Sequence, residues 1–192
     1  MNIMAKIIAG FIAGSIILCL LIGSAGMILM RSMSVRAVGQ SLPLEPERVS
    51  GIAATIAEYE LPADFGEAYA SQIAGFDLVI YNGRDGHSHV YFFQLPPGMQ
   101  VNLDEIERQF NQVSGEPKIA DRQTKIVDQI PITIRGQQTT LIVSEGINSR
   151  GQAFRQVSAV FQGKGGQALV VFERPATNWD QAEIDTFLAS IR

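Results

Sequence analysis

The residues of this chain best equipped for chemistry stand within five positions, Asp85-Gly86-His87-Ser88-His89, which hold both of its histidines. On a strand, residues two apart share a face. His87 and His89 can then grip Zn or Cu together, with Asp85 or Asp77 as an oxygen ligand. The chain has no third histidine to complete such a site, so the plainer expectation is two polar residues at the mouth of a hairpin. Ser88 lies between them, but neighbours on a strand point to opposite faces, and an activated nucleophile cannot form there.

Other groupings reduce to structure. Asp104, Glu105 and Glu107, and likewise Asp180, Glu183 and Asp185, fall in the first turns of expected helices, where carboxylates oppose the positive end of the helix dipole. Gly163-Lys164-Gly165-Gly166 lacks the GxxxxGK[ST] spacing of a phosphate loop and reads as a turn between strands. Val90 and Phe92 should share one strand face and Tyr91 and Phe93 the other, which suits a strand covered on both sides. No catalytic constellation and no cofactor is implied.

The elements that position these residues begin with a hydrophobic run. Ile7 to Met30 is free of charge, with Lys6 and Arg31 at its ends; as a helix it reaches about 36 Å, enough to cross a hydrocarbon core of roughly 30 Å. The run continues through Met27-Ile28-Leu29-Met30, past the small residues Gly23-Ser24-Ala25, so an uncleaved single-pass anchor is expected rather than a signal peptide. Flanking charges are nearly balanced between the two sides; the short N-terminus favours an extracytoplasmic domain over a cytoplasmic one. Gly10 and Gly14 form a GxxxG through which two such helices can pack as a homodimer.

The remainder reads as a stub at 1–6, a linker at 31–50 carrying Pro43 and Pro46, and one domain at 51–192. That domain holds eleven Lys and Arg against seventeen Asp and Glu, an excess of −6, which disfavours nucleic acid as a partner. Its only candidate thiol, Cys19, belongs to the apolar run, so the domain has no disulfide and no thiolate site.

Strands are expected at Ile52–Leu61, Phe76–Tyr81, His89–Leu95, Lys125–Ile134, Gln138–Glu145, Ala153–Gln162 and Ala168–Glu173. Glu67–Ile73 fits either a strand or a helical turn. Helices are expected from Asn102 to Val113, with Ile106, Phe110 and Val113 inward, and from Thr177 or Asn178 to Ile191, with Ile184, Phe187, Leu188 and Ile191 inward. The fold class is therefore α+β, an antiparallel β-sheet flanked by helices and preceded by one transmembrane helix and a flexible linker.

In the C-terminal half, Ile134-Arg135-Gly136-Gln137, Ala153-Phe154-Arg155-Gln156, Val160-Phe161, Ala168 to Phe172, Pro175 to Trp179 and Phe187-Leu188-Ala189-Ser190-Ile191 follow one another in an order that resembles the PsbP-like group. The resemblance implies an antiparallel sheet between helices and a binding or assembly role rather than catalysis, and no functional residue is carried over. The expectation is an anchored binding module with the bilayer and a protein as partners. The alternative is a metal-binding or metal-dependent enzyme domain centred on His87, His89 and Asp85.

Overall fold

The computed structural model describes residues 46–73, 75–99, 123–147 and 151–192. The apolar run 7–30, its Gly10/Gly14 pair, residues 31–45 and the helix expected at Asn102–Val113 lie outside the described residues.

Helix α1 spans Pro46–Ile56. It corrects the strand expected at Ile52–Leu61, and its first turn occupies the end of the stretch read as linker. The physical reason is spacing. Val49, Ile52, Ala53 and Ile56 recur at three and four residues and form one buried face, and this period outweighs the β-branched content of the segment. Pro46 and Glu47 suit a first turn, one lacking an N–H that would go unused and the other facing the dipole.

Seven strands follow: β1 Phe65–Ile73, β2 Phe76–Gly83, β3 His89–Gln94, β4 Gln123–Ile134, β5 Gln137–Ile147, β6 Ala153–Gln162 and β7 Gln167–Pro175. Glu67–Ile73 is thereby a strand. All neighbours pair antiparallel, in the order β1-β2-β3-β7-β6-β5-β4. Two meanders thus meet in the middle, where β3 pairs with β7, with Val90 opposite Phe172 and Phe92 opposite Val170. The turn between β4 and β5 uses Arg135 (φ 52°) and Gly136 (φ 74°) in the left-handed region that short hairpin turns favour. A 3₁₀ turn, Ala176–Asn178, leads into helix α2, Gln181–Ser190. Asp180 caps α2 by accepting from the N–H groups of Ala182 (3.0 Å) and Glu183 (3.2 Å), so the α-helix starts later than expected.

The sheet divides two hydrophobic layers. On its first face Val79, Val90, Phe92, Val143, Val157, Val170 and Phe172 pack with Ile56 of α1 and Ile184, Phe187 and Leu188 of α2. On the second face Tyr91, Phe93, Leu95, Val160, Leu169 and Val171 are buried in a separate cluster with Phe76, Leu78 and Ile80 beside them. The aromatics of β3 therefore alternate between the two layers as its sequence suggests.

The segment after α1 is clasped by the C-terminus. Glu58 N–H donates to the Arg192 carbonyl (2.8 Å), Arg192 N–H donates back to the Glu58 carbonyl (2.7 Å), and Lys164 N–H donates to the Ile56 carbonyl (2.8 Å). Arg192 reaches Glu60 (3.0 Å) and Lys164 reaches Glu58 (2.8 Å).

Candidate functional site

The turn between β2 and β3 carries the residues singled out for metal chemistry, and Asp85 organises it. One carboxylate oxygen accepts from the N–H groups of His87 and Ser88, each at 2.8 Å, and the other accepts the Ser88 hydroxyl at 2.7 Å. Partial burial works to raise the Asp85 pKa, but these donors outweigh it and hold the carboxyl below its ordinary value. Gly83 permits the closure: a Cβ there would stand 2.7 Å from Ser88 Cβ. Ser88 is fully buried with its hydroxyl committed to Asp85, which rules it out as a nucleophile more directly than strand alternation does.

His87 is exposed in the turn, ahead of the strand, whereas His89 is the first residue of β3. The two histidines therefore do not share a strand face, and the alternation that suggested joint ligation does not apply. His89 Nδ1 lies 2.9 Å from Asn82 Oδ1 across the β2–β3 pair. Asp77 stands at the far end of β2, buried, where it accepts from Gln72 Nε2 (2.7 Å), Thr55 Oγ1 (2.8 Å) and Gln94 Nε2 (3.0 Å). Among the described residues, no three His, Cys, Asp or Glu side chains come together as a potential metal site.

Strand register reveals two further polar rows at the sheet end that bears this turn. On the second face, Asn82, His89, Glu173, Gln156 and Ser144 are successive cross-strand partners over β2, β3, β7, β6 and β5. Glu173, Gln156 and Ser144 are buried. On the first face, Lys125, Glu145, Arg155 and Arg174 form the adjacent row over β4, β5, β6 and β7. Arg155 Nε lies 3.3 Å from Glu145 Oε1, without hydrogen-bond geometry, and its guanidinium stacks 5.1 Å from the Trp179 ring.

Arg174 is the centre of the first-face row. Its side chain is only 6% exposed; one terminal nitrogen holds the Asp64 carboxylate in two contacts (2.9 and 3.1 Å) and the other pairs with Glu183 of α2. The guanidinium lies over the rings of Phe172 (5.2 Å) and Phe65 (5.5 Å), which pack edge to face. The Asp64 carbonyl accepts from Arg84 N–H (2.8 Å), so one cluster ties the β2–β3 turn, the start of β1, the end of β7 and the start of α2. No linear motif marks these rows, because their members come from separate strands.

At the opposite end, the Gly163-Lys164-Gly165-Gly166 turn is shaped by Gln94. The Gln94 amide oxygen accepts from Gly165 N–H (2.9 Å), and a Cβ on Gly163 or Gly165 would approach that side chain to 2.6 Å. A Cβ on Gly166 would stand 2.5 Å from the Leu95 carbonyl oxygen. These glycines permit close packing of chain on chain, as a turn requires.

The class of protein that this architecture defines is an α+β domain built on a seven-stranded, wholly antiparallel sheet with a polar end. Its fold is similar to the solution structure of cyanobacterial PsbP (CyanoP) from Synechocystis sp. PCC 6803: the TM-score is 0.52 at 13% identity, over 72% of this chain and 87% of that chain. The likeness is one of fold and bears out the PsbP-like resemblance at that level. No protein-family profile matches the chain, and no curated protein matches it.

Proposed function

We propose that this chain is a single-pass, membrane-anchored binding or assembly module that holds its domain at the membrane surface with the domain extracytoplasmic. The observation that carries the reading is how α1 is built in. An uncharged run at 7–30 is followed, after residues 31–45, by a helix whose Ile56 is wholly buried and whose exit is clasped by the C-terminus. Residues 31–45 extend to about 50 Å at most, so an anchored domain stays within that reach of the bilayer and moves as one piece with α1. The PsbP-like fold supports a module that binds rather than catalyses.

The test begins with alkaline extraction of membranes. The full chain should stay in the pellet, and a chain lacking residues 1–45 should leave it. Cross-linking of the native protein in membranes should then capture a discrete partner. Extraction of the full chain, or a monomeric protein with no cross-linked product, would refute the proposal. Zinc titration of the purified protein addresses the metal reading, for which saturable heat abolished by His87→Ala with His89→Ala would be required.

A further inference from the structure

The two outer strands of the sheet are finished differently. β4 carries Pro131, which removes a backbone donor, a register shift between Ile126 and Asp128, and exposed charges at Lys125 and Asp128. These are the devices that discourage a further strand from joining an edge. β1 has no proline and one charged residue, Glu67; its one register shift lies at its start, between Phe65 and Glu67, and its register with β2 is regular from Glu67 to Ile73.

The outward groups of β1 can be identified from the ladder. Gly83 N–H donates to the Ser88 carbonyl and so faces β3, which turns the backbone of Asn82 towards β1 and that of its partner Glu67 towards β2. By alternation, Ala68, Ala70 and Gln72 direct their N–H and C=O groups away from the sheet. Among the described residues, no strand pairs with that edge.

We propose that the β1 edge is a homodimer seam, at which β1 of a second copy pairs antiparallel across a two-fold axis normal to the sheet. Such an axis preserves the faces, so the first faces of both copies lie on one side of a continuous fourteen-stranded sheet, twice the seven of one chain. α1 lies over β1 and β2 on that face. The two α1 helices then flank the seam, and both chains lead from Pro46 towards residues 1–45 on the same side, as two spans in one bilayer require. The stretch Glu67–Gln72 offers about six inter-chain backbone hydrogen bonds, a small interface that gains from confinement of both copies to one membrane. This deepens the anchored-module reading, but its test stands apart from that reading.

The experiment uses the full chain in its native membrane, with Cys19→Ser removing the chain's one thiol. Single cysteines are placed on β1 at Glu67→Cys, Tyr69→Cys, Ala70→Cys, which the two-fold axis sets opposite itself, and Ser71→Cys, with Thr133→Cys on β4 as control. Mild oxidation should yield a dimer of twice the chain mass from at least one β1 position and none from the control. Adding Ala68→Pro, which deletes an outward donor and leaves the β2 ladder intact, should reduce that dimer at least tenfold without lowering the melting temperature by more than about 5 °C. Absence of dimer at every β1 position, equal yield from β4, dimer unaffected by Ala68→Pro, or a cross-linked product of unequal mass showing another protein's strand on β1 would each overturn the proposal. If the chain proves extractable, the same cross-links in solution still decide the seam, so failure of the anchor and failure of the seam are distinguishable.

Discussion

Replacing Arg174 by Met isolates the cluster that ties four elements together. The substitution preserves much of the apolar stem and removes the guanidinium with its two carboxylate partners. Hydrogen bonds to charged groups contribute about 1.5–3 kcal/mol each, and cation–π contacts about 0.5–1 kcal/mol when exposed and about 2 kcal/mol or more when desolvated. Against these stand the desolvation of Arg174 itself and a buried Nε that has no hydrogen-bond partner. The stranded carboxylates limit the damage, since the Asp64 and Glu183 side chains are 47% and 32% exposed and can rehydrate. The net loss should therefore fall below the 3–5 kcal/mol of a wholly buried broken pair, at about 2–4 kcal/mol. For a domain of this size that lowers Tm by roughly 5–12 °C. Trp179, the chain's only tryptophan, packs edge-on to Phe172 and under Arg155, so its fluorescence reports the transition of the full chain in mild detergent. Arg174→Lys should fall in between, because it keeps the charge but loses the fork that reaches both carboxylates. A Tm for Arg174→Met within about 2 °C of the parent, or above it, would refute the reasoning and show that the buried guanidinium returns no more than its desolvation costs.

Two glycines should respond in opposite directions. Gly51→Ala, on the exposed side of α1 with nothing within 4 Å of the added Cβ, should stabilise by about 0.5–1 kcal/mol, whereas Gly166→Ala, which meets a backbone oxygen at 2.5 Å, should destabilise by about 2 kcal/mol or more in urea titration. Tyrosine ionisation should be delayed. Burial, then the Glu67 partnership, pushes the Tyr69 pKa up to about 12; burial and the neighbouring Tyr81 raise Tyr59, and burial raises Tyr81 although its bond to Tyr59 works the other way. Because these folded pKa values exceed the unfolded value, the associated stability is complete below about pH 10 and is lost as the pH rises through the folded range. Absorbance at about 295 nm should therefore show fewer than two of the four tyrosines ionised at about pH 10.5 while the protein stays folded, and a normal titration would contradict this burial.

How much of this was legible beforehand depends on the range over which each signal acts. Strands β2, β3 and β4 to β7 and the inward face of α2 follow from local alternation, turn dipeptides and three-and-four spacing, and all are present. α1 escaped because its helical period starts at Val49, inside a stretch whose prolines suggested a tether, and because Gly51 interrupts it. The Asp85–His89 motif was visible as composition, but its chemistry was not. Whether two histidines share a face depends on where the strand begins, and β3 begins at His89. The rows through Glu173 and Arg174 cross several strands and include contacts between distant segments. The β3–β7 pairing that brings His89 to Glu173 joins residues 74 to 84 positions apart, and Arg174 reaches Asp64 across 110, so neither leaves a spacing to read.

The two ends of the sheet are closed differently. The far end is closed by the C-terminal clasp with its Lys164–Glu58 and Arg192–Glu60 ion pairs, the glycine turn against Gln94, and Asp77 held by three neutral donors. Groups there are fixed by neighbours that cannot move without disturbing α1. At the polar end, Arg84, His87 and Lys125 are exposed, and Arg174 is held by Asp64 and Glu183. If the proposed partner docks at this end, the paired charges beneath the exposed ones would lower the entropic cost of association. Charge reversal at Arg84 and Lys125 should therefore weaken capture of a partner that uses this end, while leaving Tm within about 2 °C, because neither side chain supports the core. Weakened capture together with a fallen Tm would instead place those two residues in the fold rather than in recognition.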